Sequence, residues 1–383
     1  MRVAIIGAGV GGLTAAIGLQ RAGAEVTVLE RARGPAFVGA GLSLFGNGFT
    51  ALDTVGLDLR HLGTARPDLT AGQRRPDGRW LSVTPSAALH ELRVVHRADL
   101  HRELAAVLKP GTIRYDSPVE SDLQGYDVVV AADGLRSRTR ASWPGDPGIR
   151  YSGYSAWRGV TATPVDLLGG AGETVGKGER VGIAPLADGR VYWFGVVSMP
   201  AGTTFPDEYA EVRRRFAGWH APIADLIAAT PAEAVFRTDI HDLAGPLPAF
   251  RNGNTVLLGD AAHAMTPDLG QGANQAMEDA ATLTRLLEPL ATRPAPDVSG
   301  ALDAYDRLRR ARTQPIAARA RKVGRVMQSR GPLRDLLLRL MPTGITARQL
   351  DQIQAWQPPA GLFAADATDA RQDGMHDVCQ PVR

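Results

Sequence analysis

The residues whose spacing most clearly implies chemistry stand at the start of the chain. Gly7-Ala8-Gly9-Val10-Gly11-Gly12 follows a β-branched run at 2–6 and precedes alanine and leucine at helical spacing over 13–21. This is G-x-G-x-x-G between strand and helix: Gly7 permits the turn, Gly9 lets backbone approach a pyrophosphate, and Gly12 lets the helix pack on the strand. The phosphate oxygens then meet free N–H groups at the positive end of the helix dipole. A second apolar run over 25–29 ends on Glu30, placed to accept from ribose hydroxyls and to repel a 2′-phosphate. The turn alone does not separate NAD from FAD.

Two later stretches also combine acids, glycines and strand ends. Gly259-Asp260-Ala261-Ala262-His263 follows an apolar run at 255–258, and Pro267 then leads to Gly270-Gln271-Gly272-Ala273-Asn274 and a helical pattern. A glycine-rich turn before a helix presents N–H groups to an electron-rich edge, such as the pyrimidine end of a reduced flavin. Asp260 is then placed for ribityl hydroxyls, with a helix cap as the plain alternative. Asp133-Gly134 closes a buried run at 127–131 and is followed by Arg136, Ser137, Arg138 and Arg140, which read equally well as a solvated turn.

The elements that must position these residues form strand, turn, helix, strand over the first thirty residues, a βαβ unit. A helix is expected over 98–108. From 151 to about 240, aromatic and β-branched residues alternate with polar ones, as a sheet with one open face reads, and a short strand at 78–84 joins it. Residues 274–340 carry a helical pattern. The expected fold class is α/β, α+β overall: a Rossmann-type domain from 1–66, 90–150 and 245–300, a mainly antiparallel β-sheet substrate domain from 67–89 and 151–244, C-terminal helices at 301–345 and a tail at 346–383.

Composition narrows the partners. A net charge of +3 arises with only Lys109, Lys177 and Lys322, so basicity comes from scattered arginine and no nucleic-acid partner is expected. No apolar stretch approaches the roughly 20 residues of a membrane helix and no signal pattern opens the chain, so a cytoplasmic protein without a membrane partner is expected, as monomer or homodimer. The single cysteine, Cys379, excludes an internal disulfide and a cysteine metal cluster, and no metal site is expected. Redox chemistry must then come from a cofactor.

In this order and spacing, the three stretches resemble the three fingerprints of single-component flavoprotein aromatic hydroxylases, a group that includes salicylate, 3-hydroxybenzoate, 6-hydroxynicotinate and urate hydroxylases, tetracycline-inactivating monooxygenases and zeaxanthin epoxidase. The resemblance runs from residue 1 to about 345. It implies non-covalent FAD contacted at Gly7, Gly9, Gly12, Glu30, Arg31, Ser43, Arg97, Asp133, Asp260, Gly270, Gln271, Gly272, Ala273 and Asn274. It also implies that NADPH or NADH reduces the FAD, that O2 adds at flavin C4a, and that the hydroperoxide hydroxylates or epoxidises an aromatic or polyketide-like small molecule. With no second glycine turn, the nicotinamide is a transient visitor.

Arg180, Tyr192 and Pro267 are the positions assigned to the substrate and catalytic side. Arg180 and Tyr192 match positions that face the substrate in urate-type relatives, whereas Trp157 and Arg158 are expected to be structural. His263 is a candidate acid or base. Residues 113–126 are too short for the β-hairpin that relatives carry there, which trims the edge of the FAD domain. A reductase, oxidase or halogenase on the same scaffold, or a non-enzymatic flavoprotein, is the alternative reading.

Overall fold

The structure, a computed structural model, describes residues 1–35, 40–66, 68–120, 123–340, 348 and 351–360. Most of the expected tail, including Cys379, lies outside the described residues.

In chain order the strands are β1 (Arg2–Ile6), β2 (Glu25–Leu29), β3 (Gly41–Leu44), β4 (Thr70–Arg74), β5 (Trp80–Val83), β6 (Arg93–His96), β7 (Ile113–Arg114), β8 (Val128–Ala131), β9 (Ile149–Val160), β10 (Gly170–Val175), β11 (Glu179–Pro185), β12 (Val191–Ser198), β13 (Phe236–Leu243), β14 (Arg251–Asn252) and β15 (Thr255–Leu257). The helices are α1 (Val10–Arg21), α2 (Gly46–Thr54), α3 (Arg97–Val107), α4 (Arg138–Ala141), α5 (Glu208–Phe216), α6 (Ile223–Ala228), α7 (Asp260–His263), α8 (Gly272–Leu287), α9 (Ser299–Met327) and α10 (Pro332–Leu340).

One sheet has the order β14-β15-β8-β1-β2-β7 and is parallel except for the β14/β15 pair. Its central strands are covered on both faces, which is why Val3, Ala4, Ile5, Val128 and Val130 form near-continuous apolar runs with no exposed surface. Helix α1 packs on β1 and β2, and α8 packs on α1; α1 begins just past the carboxyl end of β1 and α8 follows the carboxyl end of β15. That end is where open parallel sheets bind ligands. The short edge strand β7 pairs with β2 through Ile113 and Arg114 only.

The second sheet has the order β13-β9-β12-β11-β10-β4-β5 and is antiparallel except where β10 runs beside β4. Strands β4 and β5 reach it from early in the chain. Its face away from the first sheet buries Trp157, Trp193, Phe216 and Ile223 in a core of its own, with the Trp157 indole N–H donating to Glu208. Alternation then places Ala156, Arg158, Tyr192, Phe194 and Val196 on the opposite face, toward the first sheet.

Helix α9 fastens the two sheets together. Arg309 and Arg312 reach α8 near its start, Arg321 bonds Asp242 of β13, and Gln328 reaches Ser198 at the end of β12. Among the described residues, no helix is long and apolar enough to cross a membrane.

Candidate active site

A cavity of about 700 Å³ lies between the two sheets, within the size range of cofactor and ligand pockets. Gly9, Val10, Gly11 and Gly12 of the first turn line it, as do Gly41, Ser43, Arg97, Gly134, Gly259, Asp260, Gly270, Gly272 and Ala273. Stretches more than 250 residues apart thus share one wall, because α1 and α8 both leave the parallel sheet at its carboxyl end.

The glycine turn constrains its positions differently. A Cβ on Gly12 would lie 2.2 Å from the Gly7 carbonyl oxygen, so any larger residue there pushes helix from strand. A Cβ on Gly9 would meet nothing within 4 Å, because that side of the turn opens on the cavity. Neither α1 nor α8 has a side chain capping its first N–H groups. Two helix N-termini therefore present orphan donors to one space, which favours anionic groups.

The hairpin of β3 and β6 supplies the opposite lip. Ala40 accepts the Arg97 N–H at 2.9 Å, so Arg97 opens α3 beside Ser43 with its side chain exposed on the cavity wall. Asp260 is likewise exposed there at the start of α7. Asp133 does not line the cavity. Its Oδ2 accepts from the Arg138 N–H at 3.0 Å and so caps α4, while its Oδ1 is buried without a hydrogen-bond partner. Orphan donors, an orphan acceptor and an open glycine face fit a dinucleotide cofactor such as FAD.

Other expected positions stand behind this surface. Gly7 turns away, its N–H given to Leu29 at 2.8 Å. Glu30 accepts from the Ala8 and Ala32 N–H groups at 2.8 and 2.9 Å, and Arg31 is exposed just beyond β2; neither lines the cavity. The side chains of Gln271 and Asn274 are committed elsewhere. Asn274 ties the turn to β3 by accepting from the Phe45 N–H and donating to the Ser43 and Gly270 carbonyls, and Gln271 accepts from Asn47. Neither residue lines the cavity, whereas Gly270, Gly272 and Ala273 between and beside them do.

His263 is not an acid or base of the cavity. It is 3% exposed, absent from the lining, and bonded through Nε2 to Asp279 at 2.6 Å. Asp279 also accepts from the Gly259 N–H at 2.8 Å and from Arg309 Nε at 2.6 Å. Arg309 bonds Glu278, which Arg312 shares. Burial alone raises the Asp279 carboxyl, but the charges of His263 and Arg309 outweigh it and bring its pKa down to about 2. This dry ion network holds the Gly259-Asp260 turn against α8 and α9.

The substrate sheet supplies a second charged cluster. Arg180 is 2% exposed and lines the cavity; it bonds Asp268 through Nη2 and Glu173 through Nη1 at 3.3 Å, and its Nε has no partner. The other oxygen of Asp268 accepts the Tyr154 hydroxyl at 2.6 Å. Asp268 stands in the short turn Pro267–Leu269, so Pro267, itself on the cavity wall, fixes the carboxylate immediately before the Gly270 turn. Burial raises the Glu173 carboxyl, with Arg180 opposing. Burial also raises the Tyr154 phenol, and Asp268 reinforces that shift.

The remaining wall is mixed: apolar Ala156, Phe194, Val196, Phe236 and Ile240 are joined by polar Thr238, Asp239, His241 and Thr266. Tyr192 projects from it and is 9% exposed; burial raises its phenol against the opposing charge of Arg158. Trp157 and Arg158 part company, since Trp157 is core while Arg158 lines the cavity and donates to Thr238 at 2.6 Å. Glu173, Asp268 and Tyr154 carried no motif of their own. Only the pairing of Arg180 across the fold reveals them.

Comparison with known proteins decides the family. Residues 120–320 match the FAD binding domain family, and the chain is 37% identical over 373 residues to the aurachin C monooxygenase/isomerase of Stigmatella aurantiaca, covering 89% of this chain and 94% of that one. The chain belongs to the FAD-dependent aromatic monooxygenases. An FAD-dependent urate hydroxylase of Klebsiella pneumoniae is 33% identical over 353 residues, 84% of this chain and 89% of its own. A match to the pyridine nucleotide-disulphide oxidoreductase family covers only residues 1–54, from the first βαβ unit through α2. The fold of this monooxygenase is that of Klebsiella pneumoniae HpxO solved with FAD and uric acid, with TM-score 0.82, 28% identity, and coverage of 92% of this chain and 96% of that one.

Proposed function

We propose that the monooxygenase oxygenates an electron-rich aromatic ring that is uncharged at the end meeting Arg180, a nitrogen heterocycle or phenol rather than a benzoate. The observation that supports this reading is the state of Arg180. Its guanidinium is buried and already faces Asp268 and Glu173, so the cluster has no net positive charge whether or not Glu173 is ionised. An incoming carboxylate would be desolvated without a free cation to receive it. A ring N–H or hydroxyl would instead find the Glu173 carboxyl as acceptor. Arg158 stands three strands from Glu173 on the same sheet row, roughly 14 Å away at the usual interstrand spacing, too far to serve the same end of a small ring.

Bound FAD supplies the redox and oxygen chemistry. The chain's own residues bind, orient and exclude water. In this reading the N-termini of α1 and α8 receive the cofactor's anionic groups, Asp260 accepts hydroxyls, Ser43 and Arg97 complete the rim, and Glu30, Arg31 and Asp133, which stand outside the cavity lining, meet the cofactor only where it extends past that cavity along the carboxyl ends of the first sheet. The Tyr192 phenol, kept protonated by burial, donates to a ring substituent, while Phe194, Phe236, Val196 and Ile240 exclude water. NADH or NADPH visits without a second glycine turn to hold it. The working location is the cytoplasm, with the protein as monomer or homodimer.

The test is aerobic turnover with NADH and with NADPH against matched neutral heteroaromatics and aromatic carboxylates, using oxygen-18-labelled dioxygen. The expected result is one labelled oxygen in a neutral product, with nucleotide oxidation coupled to it. Preferred turnover of the carboxylates would overturn the substrate reading. Affinity for the carboxylates should rise in Asp268→Asn, which leaves Arg180 with Glu173 alone.

A further inference from the structure

Helix α10 is oriented opposite to an ordinary surface helix. Leu333, Leu336, Leu337 and Leu340 recur at the spacing of a single helical face and are 64%, 51%, 48% and 69% exposed. The polar residue Arg334 is the one turned inward, 5% exposed, donating to the carbonyls of Met327, Ser329 and Gly176. Leu338 packs beside Leu81, Val175 and Met327. These bonds fix the rotation of the helix, so the leucine face cannot turn inward without tearing Arg334 from its carbonyls.

Basic residues predominate along the chain on and beside this face. Between 322 and 340 the chain carries Lys322, Arg325, Arg330, Arg334 and Arg339 against a single acid, Asp335, and Asp335 is already bonded by Arg334 at 2.7 Å. Arg330 and Arg339 are exposed beside the leucines, and the last turn of α9 adds exposed Arg325 and Val326.

We propose that α10 docks the protein onto an anionic phospholipid surface, its four leucines entering the headgroup boundary and Arg325, Arg330 and Arg339 meeting the lipid phosphates. An amphipathic helix with basic flanks binds such interfaces in the plane of the membrane without the length of a spanning helix. The expectation of no membrane partner rested on spanning length and on the lack of a signal pattern, neither of which bears on a helix lying in the interface. A symmetric dimer through the same stripe would gather Arg330 and Arg339 of both copies at one interface, a like-charge arrangement that such an interface avoids. The helix packs on β5 and on Val175 of β10, two residues along that strand from cavity-lining Glu173. Docking therefore brings the substrate end of the cavity close to lipid, an arrangement suited to substrates that partition into membranes.

The test is flotation of the full FAD-loaded chain with vesicles of phosphatidylcholine alone or mixed equally with phosphatidylglycerol, at low and high salt. The expected result is binding to the mixed vesicles that weakens with salt. The double variant Leu336→Ser, Leu337→Ser and the double variant Arg330→Glu, Arg339→Glu should each weaken binding by at least about tenfold, with FAD content and NAD(P)H oxidation unchanged. Failure of the wild type to float with anionic vesicles, or leucine variants that float as well as wild type, would overturn the proposal. A wild-type dimer that the leucine variant dissociates, without vesicle binding, would assign the face to self-association instead.

Discussion

Replacing Asp279 by asparagine tests whether the buried ion network, rather than the cavity lining, holds the Gly259-Asp260 turn in place. Asp279 has no exposed side chain and accepts three hydrogen bonds, from the Gly259 N–H, His263 Nε2 and Arg309 Nε. An amide offers one acceptor oxygen and an NH2 group, so at least one of those donors must face another donor. Arg309 keeps Glu278, but Glu278 already serves Arg312, and a buried positive charge loses half of its compensation. Breaking a buried pair in this way costs about 3 to 5 kcal/mol. With an unfolding entropy of about 2 cal/mol/K per residue, that corresponds to a fall in Tm of about 4 to 6 °C for a cooperative chain of this length.

The pH dependence gives a second, independent readout. The folded-state pKa of Asp279 is about 2 against an ordinary value of 3.8. A depressed carboxylate contributes stability that is present above the ordinary value and is lost as pH falls through the folded value. The shift corresponds to about 2 kcal/mol, given up as the pH drops from near 4 toward 2, and Asp279→Asn should lack that part of the slope. The assay is thermal unfolding of FAD-stripped protein, followed by circular dichroism at neutral pH and through the acid range, so that bound cofactor adds nothing to either melt. A variant melting within about 1 °C of wild type at neutral pH would refute the network's role, as would an unchanged acid slope.

Gly9→Ala should leave the stripped protein's melting temperature unchanged, since its Cβ meets nothing within 4 Å, yet weaken FAD binding by at least about tenfold, measured by quenching of FAD fluorescence. Gly182→Ala should act on the substrate and spare FAD content. Its Cβ would fall 1.9 Å from Phe194 Cζ, forcing that ring off the cavity wall at a cost of about 1 to 3 kcal/mol, and KM should rise while flavin absorbance stays normal. Tyr192→Phe should lower kcat/KM by about 0.5 to 1.5 kcal/mol, the worth of one hydrogen bond. Because burial raises the Tyr192 phenol above its ordinary value, the wild-type rate profile should show no limb from this group up to that value.

What the sequence made legible was local. The Gly7 to Gly12 turn can be read because its constraints act between neighbours: the carbonyl that forbids a side chain at Gly12 belongs to Gly7, five residues away. Arg180 and Tyr192 were reached through resemblance, and both lie on the cavity wall. Their partners were not reached, because Asp268 is 88 residues from Arg180, and an acid before a glycine turn carries no mark of the arginine it meets. The same limit explains Gln271 and Asn274, which stand in the glycine stretch while their side chains serve α2 and β3. His263 followed a motif too, but which side of α7 faces the cavity depends on Asp279 in another helix. Helix α10 is the sharpest case. Leucine at helical spacing predicts an apolar face but not its direction, and direction here is set by one inward arginine bonded to carbonyls on α9 and at the end of β10. A stripe that reads as ordinary core is thereby turned outward, and its use is decided by contacts the sequence pattern does not contain.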